Sequence, residues 1–445
     1  MNCEINNMAK ILFSAFSNVT WTPEKHLDSF VEGFIRSLAR SGNEVLNIRT
    51  NDFVKHPITS KLIPFIDKAE LQKKIKDFNP DLIITFNNSF PFEEVVSETN
   101  CPIALYVADG PDFFAFKDLI SKYADRYHFF KMNENIYNTL LRSFPNINPD
   151  RFFDFGYATD FNAREVEQNI NISFLGSIPN YTHQLVHYFQ RKKSNALKDD
   201  FFKEFNNFKN DVFSKINVDL PDFHDHMRIE TLAVFLITTK DRFFTLSALS
   251  DLGLVIKGYE TICEAGMYNY ELLNSYVFDL CVSIDQSENF YNQSKISMNL
   301  PNARATDGFS WRVPDILSSN SVLLSPRTNE LKKLMEGYID LPMYESPSEA
   351  REIAQKLLKD PVWRKDISLA SQQMIRDKCK FEDKFKVMED HFNINLTRNT
   401  TAAEVKELPV VNIAGLKYDS ISKLRKYIAP YLSPELKMLI KRFIH

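Results

Sequence analysis

Cysteine pairs, glycine-rich loops, long apolar runs and surplus positive charge are all missing from this chain. Its five cysteines, at positions 3, 101, 263, 281 and 379, lie far apart with no Cys-x-x-Cys pair, which argues against zinc and disulfide frameworks and suits a reducing cytoplasm. Glycine numbers only 11 in 445 residues, and the first strand-to-helix connection, residues 14–25, holds no Gly-x-Gly-x-x-Gly. A dinucleotide-binding domain of the NAD kind is therefore not expected. No apolar stretch approaches the ~20 residues that span a bilayer. The N-terminus has no basic-then-apolar signal segment, and Met8-Ala9-Lys10 is a candidate natural start. With 54 Lys/Arg against 58 Asp/Glu the net charge is −4, which speaks against a general nucleic-acid binder.

What is present is enough residues for two domains of roughly 150–200 each, both able to bury real cores. Phenylalanine, 38 residues, is abundant, and its rings are read chiefly as core. Residues 10–16 form an apolar run typical of a buried strand, and Leu27, Phe30, Phe34 and Leu38 recur at helical spacing before Gly42. Strand patterns at 44–49, 79–86, 102–107 and 126–130 alternate with helical patterns near 68–77, 113–122 and 134–143. Alternation of this kind predicts a parallel sheet covered by helices on both faces, with ligands at the strands' carboxyl ends.

A second strand series begins at residues 171–175, ending in Gly176-Ser177, and continues at 252–258, 277–282 and 296–300 around a largely helical stretch, 180–250. The predicted division is residues 8–165, a first domain; 166–375, a second; 376–397, a helix crossing back to the first; and 398–445, a polar linker with a basic amphipathic tail.

The most informative stretch is 294–326. Asp307 and Asp315, eight positions apart, straddle a helix start near Val313-Pro314, where Pro suits the first turn and free N–H groups attract anions. Spacing alone fits a capped helix start plus a solvated acid better than it fits a sugar-nucleotide site. The surrounding residues resemble something more specific. Asp307-Gly308-Phe309, Ser310, Arg312 and Asp315, followed by a short buried strand and Asn329-Glu330-Leu331, resemble the donor-binding half of GT-B glycosyltransferases, with their acid-x7-acid motif. The pattern is nearest to spore-coat-type glycosyltransferases. Gly-Phe-Ser-x-Arg-Val-x-Asp-Ile is similar also to bacterial β-Kdo transferases of surface polysaccharides. Asp stands at both acid positions where many relatives have Glu, so each carboxylate reaches about one methylene less far.

The resemblance implies an α/β protein of two Rossmann-like domains facing a cleft, the first binding acceptor and the second donor. Gly176, Ser177, Lys257 and Gly258, at strand tips, would then face donor phosphates, Asp315 ribose hydroxyls and Asp307 the sugar. Arg312 suits a phosphate or a sugar-acid carboxylate, the reading favoured over an ion-pair partner of either Asp. No Asp-x-Asp of the metal-dependent GT-A kind occupies a convincing loop, so neither metal nor cofactor is expected and cations would carry the leaving-group charge. Candidate acceptor bases are Glu24, His26 and Asp109, although a helix-start His is as often a cap and Asp109 before Gly-Pro is first a turn former. His224-Asp225-His226 invites a metal reading. On a helix, however, residues two apart face different ways, and no third ligand is evident. Should the β-Kdo resemblance hold, a retaining transfer would use a carboxylate nucleophile, with Asp225 or Glu230 the residues to test.

The tail from Lys417 to His445 carries seven Lys/Arg and two acids, and Leu436, Leu439, Ile440 and Phe443 form one apolar stripe. Peripheral contact with an anionic membrane surface at the inner leaflet is expected, against the alternative that the stripe docks on the protein itself. The expected activity is transfer of a sugar from CMP-Kdo or a UDP- or GDP-sugar to a glycan or lipid-linked acceptor in bacterial surface polysaccharide assembly. Two alternatives stay open: a nucleotide-sugar 2-epimerase, and a noncatalytic subunit that binds a sugar nucleotide or glycan.

Overall fold

The computed structural model describes residues 9–15, 29–49, 53–55, 62–64, 68–90, 92–108, 111, 114, 116–131, 136–179, 185–186, 189–190, 192–209, 216–218, 229–258, 261–277, 281, 283–305, 308–397, 402–403 and 405–407. In the first half lie β1 (Lys10–Ala15), β2 (Glu44–Arg49), β3 (Phe53–Lys55), β4 (Leu62–Pro64), β5 (Leu82–Phe86), β6 (Ile103–Val107), β7 (Tyr127–Lys131) and β8 (Phe152–Asp154). In the second lie β9 (Ile170–Leu175), β10 (Leu254–Lys257), β11 (Ser294–Met298), β12 (Val322–Pro326) and β13 (Met343–Tyr344), and β14 (Val405–Glu407) follows.

The first sheet runs β14-β2-β1-β5-β6-β7-β8, every pairing parallel. Central Ile11 pairs with Val45 on one side and Leu82 on the other. Because side chains alternate along a strand, Leu12, Ile83, Leu105 and Phe129 enter one core while Ile11, Phe13, Ile84 and Phe130 enter the opposite one. Burial on both faces explains the near-continuous apolar runs. β3 and β4 form a separate antiparallel pair. The second sheet runs β10-β9-β11-β12-β13, also parallel, over its own core.

Two sequence expectations change. Residues 398–409, read as a polar linker, contain β14, which pairs Val405 with Val45 and so gives the β2 edge of the first sheet a partner. The helix expected to cross back at 376–397 is instead the end of one helix, Pro361–Lys378, and a second, α5 below, broken at Cys379–Lys380. There the Cys379 carbonyl accepts the Thr159 N–H at 2.9 Å and the Lys380 ammonium reaches the Phe161 carbonyl at 2.8 Å, bonds that a continuous helix would forgo. The strand expected at 277–282 falls mostly outside the described residues, with Tyr276 making a single bridge to Ile256. The expected tail, 408–445, lies outside them entirely. Among the described residues no helix is long and apolar enough to cross a membrane.

Five helices set up the cleft: α1 (Ser29–Arg40), α2 (Ile229–Leu249), α3 (Ile284–Asn292), α4 (Arg312–Ser318) and α5 (Phe381–Phe392). α1 packs against both domains at once. A methyl group on its Gly33 would lie 3.0 Å from Asp160 Cβ, 3.2 Å from Phe381 and 3.4 Å from Ile284 of α3, so the absent side chain lets α3 and α5 close on α1. Phe30, Phe34, Tyr106, Phe155, Phe381 and Phe385 form one aromatic cluster there. Polar ties surround it: Arg36 reaches Asp285, and Arg40 reaches both Asp160 at 2.7 Å and Glu382 at 2.5 Å.

Candidate active site

In an open parallel sheet, ligands gather where neighbouring strands send their connections to opposite sides. In the second domain that point lies between β9 and β11. β9 ends at Gly176-Ser177 and β11 leads to Asn299-Leu300. Between these tips sits Arg242 of α2, only 9% exposed, whose guanidinium donates to the Leu300 carbonyl at 3.1 Å and the Ser177 carbonyl at 2.6 Å. One helical turn earlier, Thr238 holds the same loop by accepting the Ala303 N–H at 3.0 Å. Arg312, opening α4, meets the same ring as Arg242: both guanidinium carbons stand 5.8 Å from the Phe174 ring centre. Burial, reinforced by the neighbouring Arg312 charge, pulls Arg242 down from 12.5 to about 9, which leaves it protonated at neutral pH. Neither arginine forms an ion pair with a carboxylate among the described residues. Two neighbouring cations, one deeply buried, with no acid partner among the described residues are costly alone and favourable around an anion.

Glycine permits this geometry. Gly258 at the β10 tip has φ +156°, and a Cβ there would fall 1.9 Å from the Gly176 carbonyl oxygen, so the two strand tips approach in a way no side chain allows. A Cβ on Gly176 would lie 2.8 Å from the Phe174 ring, so the absent side chain leaves room for that ring.

The remaining candidates are distributed unevenly. Lys257 directs its ammonium over the Phe290 ring of α3 at 5.2 Å. Gly308 is buried. Phe309 stacks on Tyr157, ring centroids 3.9 Å apart, and its N–H points to the Tyr157 hydroxyl at 3.5 Å. Ser310 donates to Asn299 Oδ1 at 3.2 Å. Asp315 is 3% exposed: its Oδ1 accepts from Thr159 Oγ1 at 2.6 Å and its Oδ2 from Ser29 Oγ at 3.2 Å. The carboxylate expected to meet ribose thus faces two hydroxyls of the protein. Glu230 lies on α2 twelve residues before Arg242, about 18 Å along the axis, and so is not brought to this crevice. Glu24, His26, Asp109, Asp225 and Asp307 lie outside the described residues, as do His224 and His226. Among the described residues no group of three or more His, Cys, Asp or Glu is placed to hold a metal.

Sequence reading missed Arg242, Tyr157, Thr159 and Ser29. For Arg242 a signal existed. Thr238, Arg242, Thr245, Leu246 and Leu249 form one buried stripe of α2, and an arginine on the apolar stripe of a helix is a residue seeking a partner.

The comparisons with known proteins follow the same lines. Residues 254–390, less than a third of the chain, match a family model described as glycosyl transferase-like. No curated protein matches. Among solved structures, the glycosyltransferase from Rickettsia africae aligns with TM-score 0.50 at 11% identity, covering 88% of this chain and 100% of that one. HepE of Anabaena, in complex with UDP and glucose, aligns with TM-score 0.50 at 10% identity, covering 86% and 99%. The fold is that of GT-B glycosyltransferases: parallel sheets in two α/β domains.

Proposed function

We propose that this chain is a glycosyltransferase that binds a nucleotide-activated sugar in its second domain and transfers the sugar to a glycan or lipid-linked acceptor held by the first. The single observation that carries this reading is the Arg242–Arg312 pair at the β9/β11 crevice, without a carboxylate partner among the described residues. Glycosyl transfer breaks the bond between the anomeric carbon and a phosphate oxygen. Negative charge then grows on that oxygen, and preorganised cations in a site poor in water lower the barrier most. Arg242, anchored by two backbone carbonyls, keeps one charge fixed, while Arg312 presents a second beside the first turn of α4. The family match over 254–390 includes β11, α4 and Arg312 while β9 and Arg242 precede it, and the UDP and glucose held by HepE are ligands of the kind the crevice suits.

On this reading the arginines meet the charge that a metal would otherwise meet, so turnover survives chelation. The nucleotide is a UDP-, GDP-, CMP- or dTDP-sugar; CMP-Kdo brings a phosphate and a sugar carboxylate, also two anions for two cations. Membrane contact through the tail and a place in surface polysaccharide assembly belong to the same proposal and rest on the sequence. Measuring thermal shifts of the full chain against the four nucleotide-sugar classes tests it, since a bound ligand stabilises by mass action. Stabilisation by one class, with product formed from it in the presence of EDTA and a glycan or lipid-linked acceptor, supports the proposal; no stabilisation by any class overturns it. Free nucleotide with an epimerised sugar and no acceptor product would favour the epimerase instead.

A further inference from the structure

Asp315 stands at the second acid position of the donor motif yet has little access to any ligand. It is 3% exposed, and each carboxylate oxygen already accepts a hydroxyl: Oδ1 from Thr159 at 2.6 Å, Oδ2 from Ser29 at 3.2 Å. Ser29 is the first residue of α1 in the first domain, and Thr159 lies in the segment that joins the two domains. The same two helix starts touch a second time. Trp311 stacks on Phe30 with ring centroids 5.0 Å apart and planes 13° from parallel. Helical geometry explains the pairing: residues four apart share a face, so Trp311 and Asp315 both look toward α1, while Arg312, about 100° around the helix, looks toward Phe174.

We propose that Asp315 is a positioning residue that fastens α4 to α1 and thereby sets the domain closure in which Arg312 meets the leaving group. This deepens the donor-site reading and rests on it for the catalytic half. A carboxylate accepting two hydroxyl hydrogen bonds is a directional tie, and the adjacent ring stack supplies apolar contact at the same joint. Thr159 adds a third strand to the tie, because its oxygen also accepts the Phe161 N–H at 3.0 Å, fixing the linker as it binds the acid. The shorter Asp fits here. A longer carboxylate at 315 would have to displace Thr159, which already lies at 2.6 Å.

The test compares the native full chain with Ser29→Ala, Thr159→Val, the pair Ser29→Ala with Trp311→Leu, and the hydroxyl-retaining Ser29→Thr. Turnover, affinity for the free nucleoside phosphate product and the small-angle scattering radius of gyration are measured. The expected result is a fall of about tenfold in kcat with nucleotide affinity unchanged within about twofold, and recovery in Ser29→Thr, since an interaction made only in the closed form acts on kcat. The double variant is expected to show a larger radius of gyration. Unchanged kcat and unchanged scattering overturn the proposal. So does a loss of nucleotide affinity in step with kcat, which would make Asp315 a ligand. If the native chain binds and turns over no sugar nucleotide, the functional reading falls instead; scattering of the double variant then decides the joint alone.

Discussion

The two domains share an architecture but not an electrostatic character at their strand tips. In the first, the described residues at the tips of β1 and β5 are uncharged groups already engaged within the protein. Ser14 donates to the Ser89 carbonyl at 2.5 Å, Ser89 to the Phe86 carbonyl at 2.6 Å, and Asn88 accepts from Tyr127 at 2.9 Å. Asn87 and Asn88 take left-handed conformations, φ +50° and +53°, that asparagine tolerates better than most residues. In the second domain the equivalent crevice holds two arginines without carboxylate partners among the described residues. Among the described residues, parallel sheets of one kind thus present a neutral ledge at one switch point and a cationic one at the other. The chemistry lives in the side chains at each switch point rather than in the sheets.

The largest effect that would break this comparison comes from removing the cationic ledge. Arg312→Ala is expected to lower kcat roughly 100-fold or more, the scale for deleting one preorganised charge donor. Ser14→Ala on the neutral ledge should leave nucleotide affinity within about twofold. Equal losses in the two variants, measured by steady-state kinetics and calorimetry, would show that the ledges do not divide the work. Gly258→Ala tests the close approach that builds the cationic crevice. With a Cβ 1.9 Å from the Gly176 carbonyl, the β9 and β10 tips must part, and a stability loss of about 2–4 kcal/mol in chemical denaturation is expected, with weakened nucleotide binding.

Gly33→Ala probes the joint between the domains. Its new methyl meets Asp160 and Phe381 at 3.0 and 3.2 Å, tight contacts that cost roughly 1–3 kcal/mol on the scale of overpacking. The expected signature is a lower melting temperature with the nucleotide site intact.

The smallest effect concerns the first domain alone. His128 on β7 lies 2.7 Å from His391 of α5 and 3.2 Å from the Arg151 guanidinium. Burial, His391 and Arg151 pull His128 down to about 3, and burial together with Arg151 also lowers His391. A depressed folded value means that the unfolded chain takes up the proton first. Stability from this pair is therefore full above about pH 6.5 and is lost as pH falls toward the folded value, by roughly 1–2 kcal/mol after allowance for water at half-buried rings. His128→Gln should flatten that acid limb in pH-dependent melting, and an unchanged limb would place the acid sensitivity elsewhere.

Much of the fold was legible because apolar runs and turn residues are local signals. The β1, β5, β6, β9 and β12 segments stand out as short apolar stretches, and the start of α4 was marked by Pro314 in its first turn. β14 was not legible: Val405-Lys406-Glu407 is three residues in polar surroundings, and it is a strand only because β2 offers an unpaired edge. In the candidate site, Arg312 and the Gly176 and Gly258 tips followed from position relative to strands and helix. Asp315 was found, yet what it touches was not, because its partners lie 156 and 286 residues away in sequence.

By itself the sequence determined two parallel-sheet α/β domains and a helix start carrying an arginine and an acid, since hydrophobic periodicity and proline position act within a few residues. Only the tertiary structure decided that Arg242 joins Arg312 at one crevice and that Asp315 is enclosed between Thr159 and Ser29. Pairing of buried charges is settled by which distant elements pack together, and the cost of burying a charge depends on every group that packing brings near it.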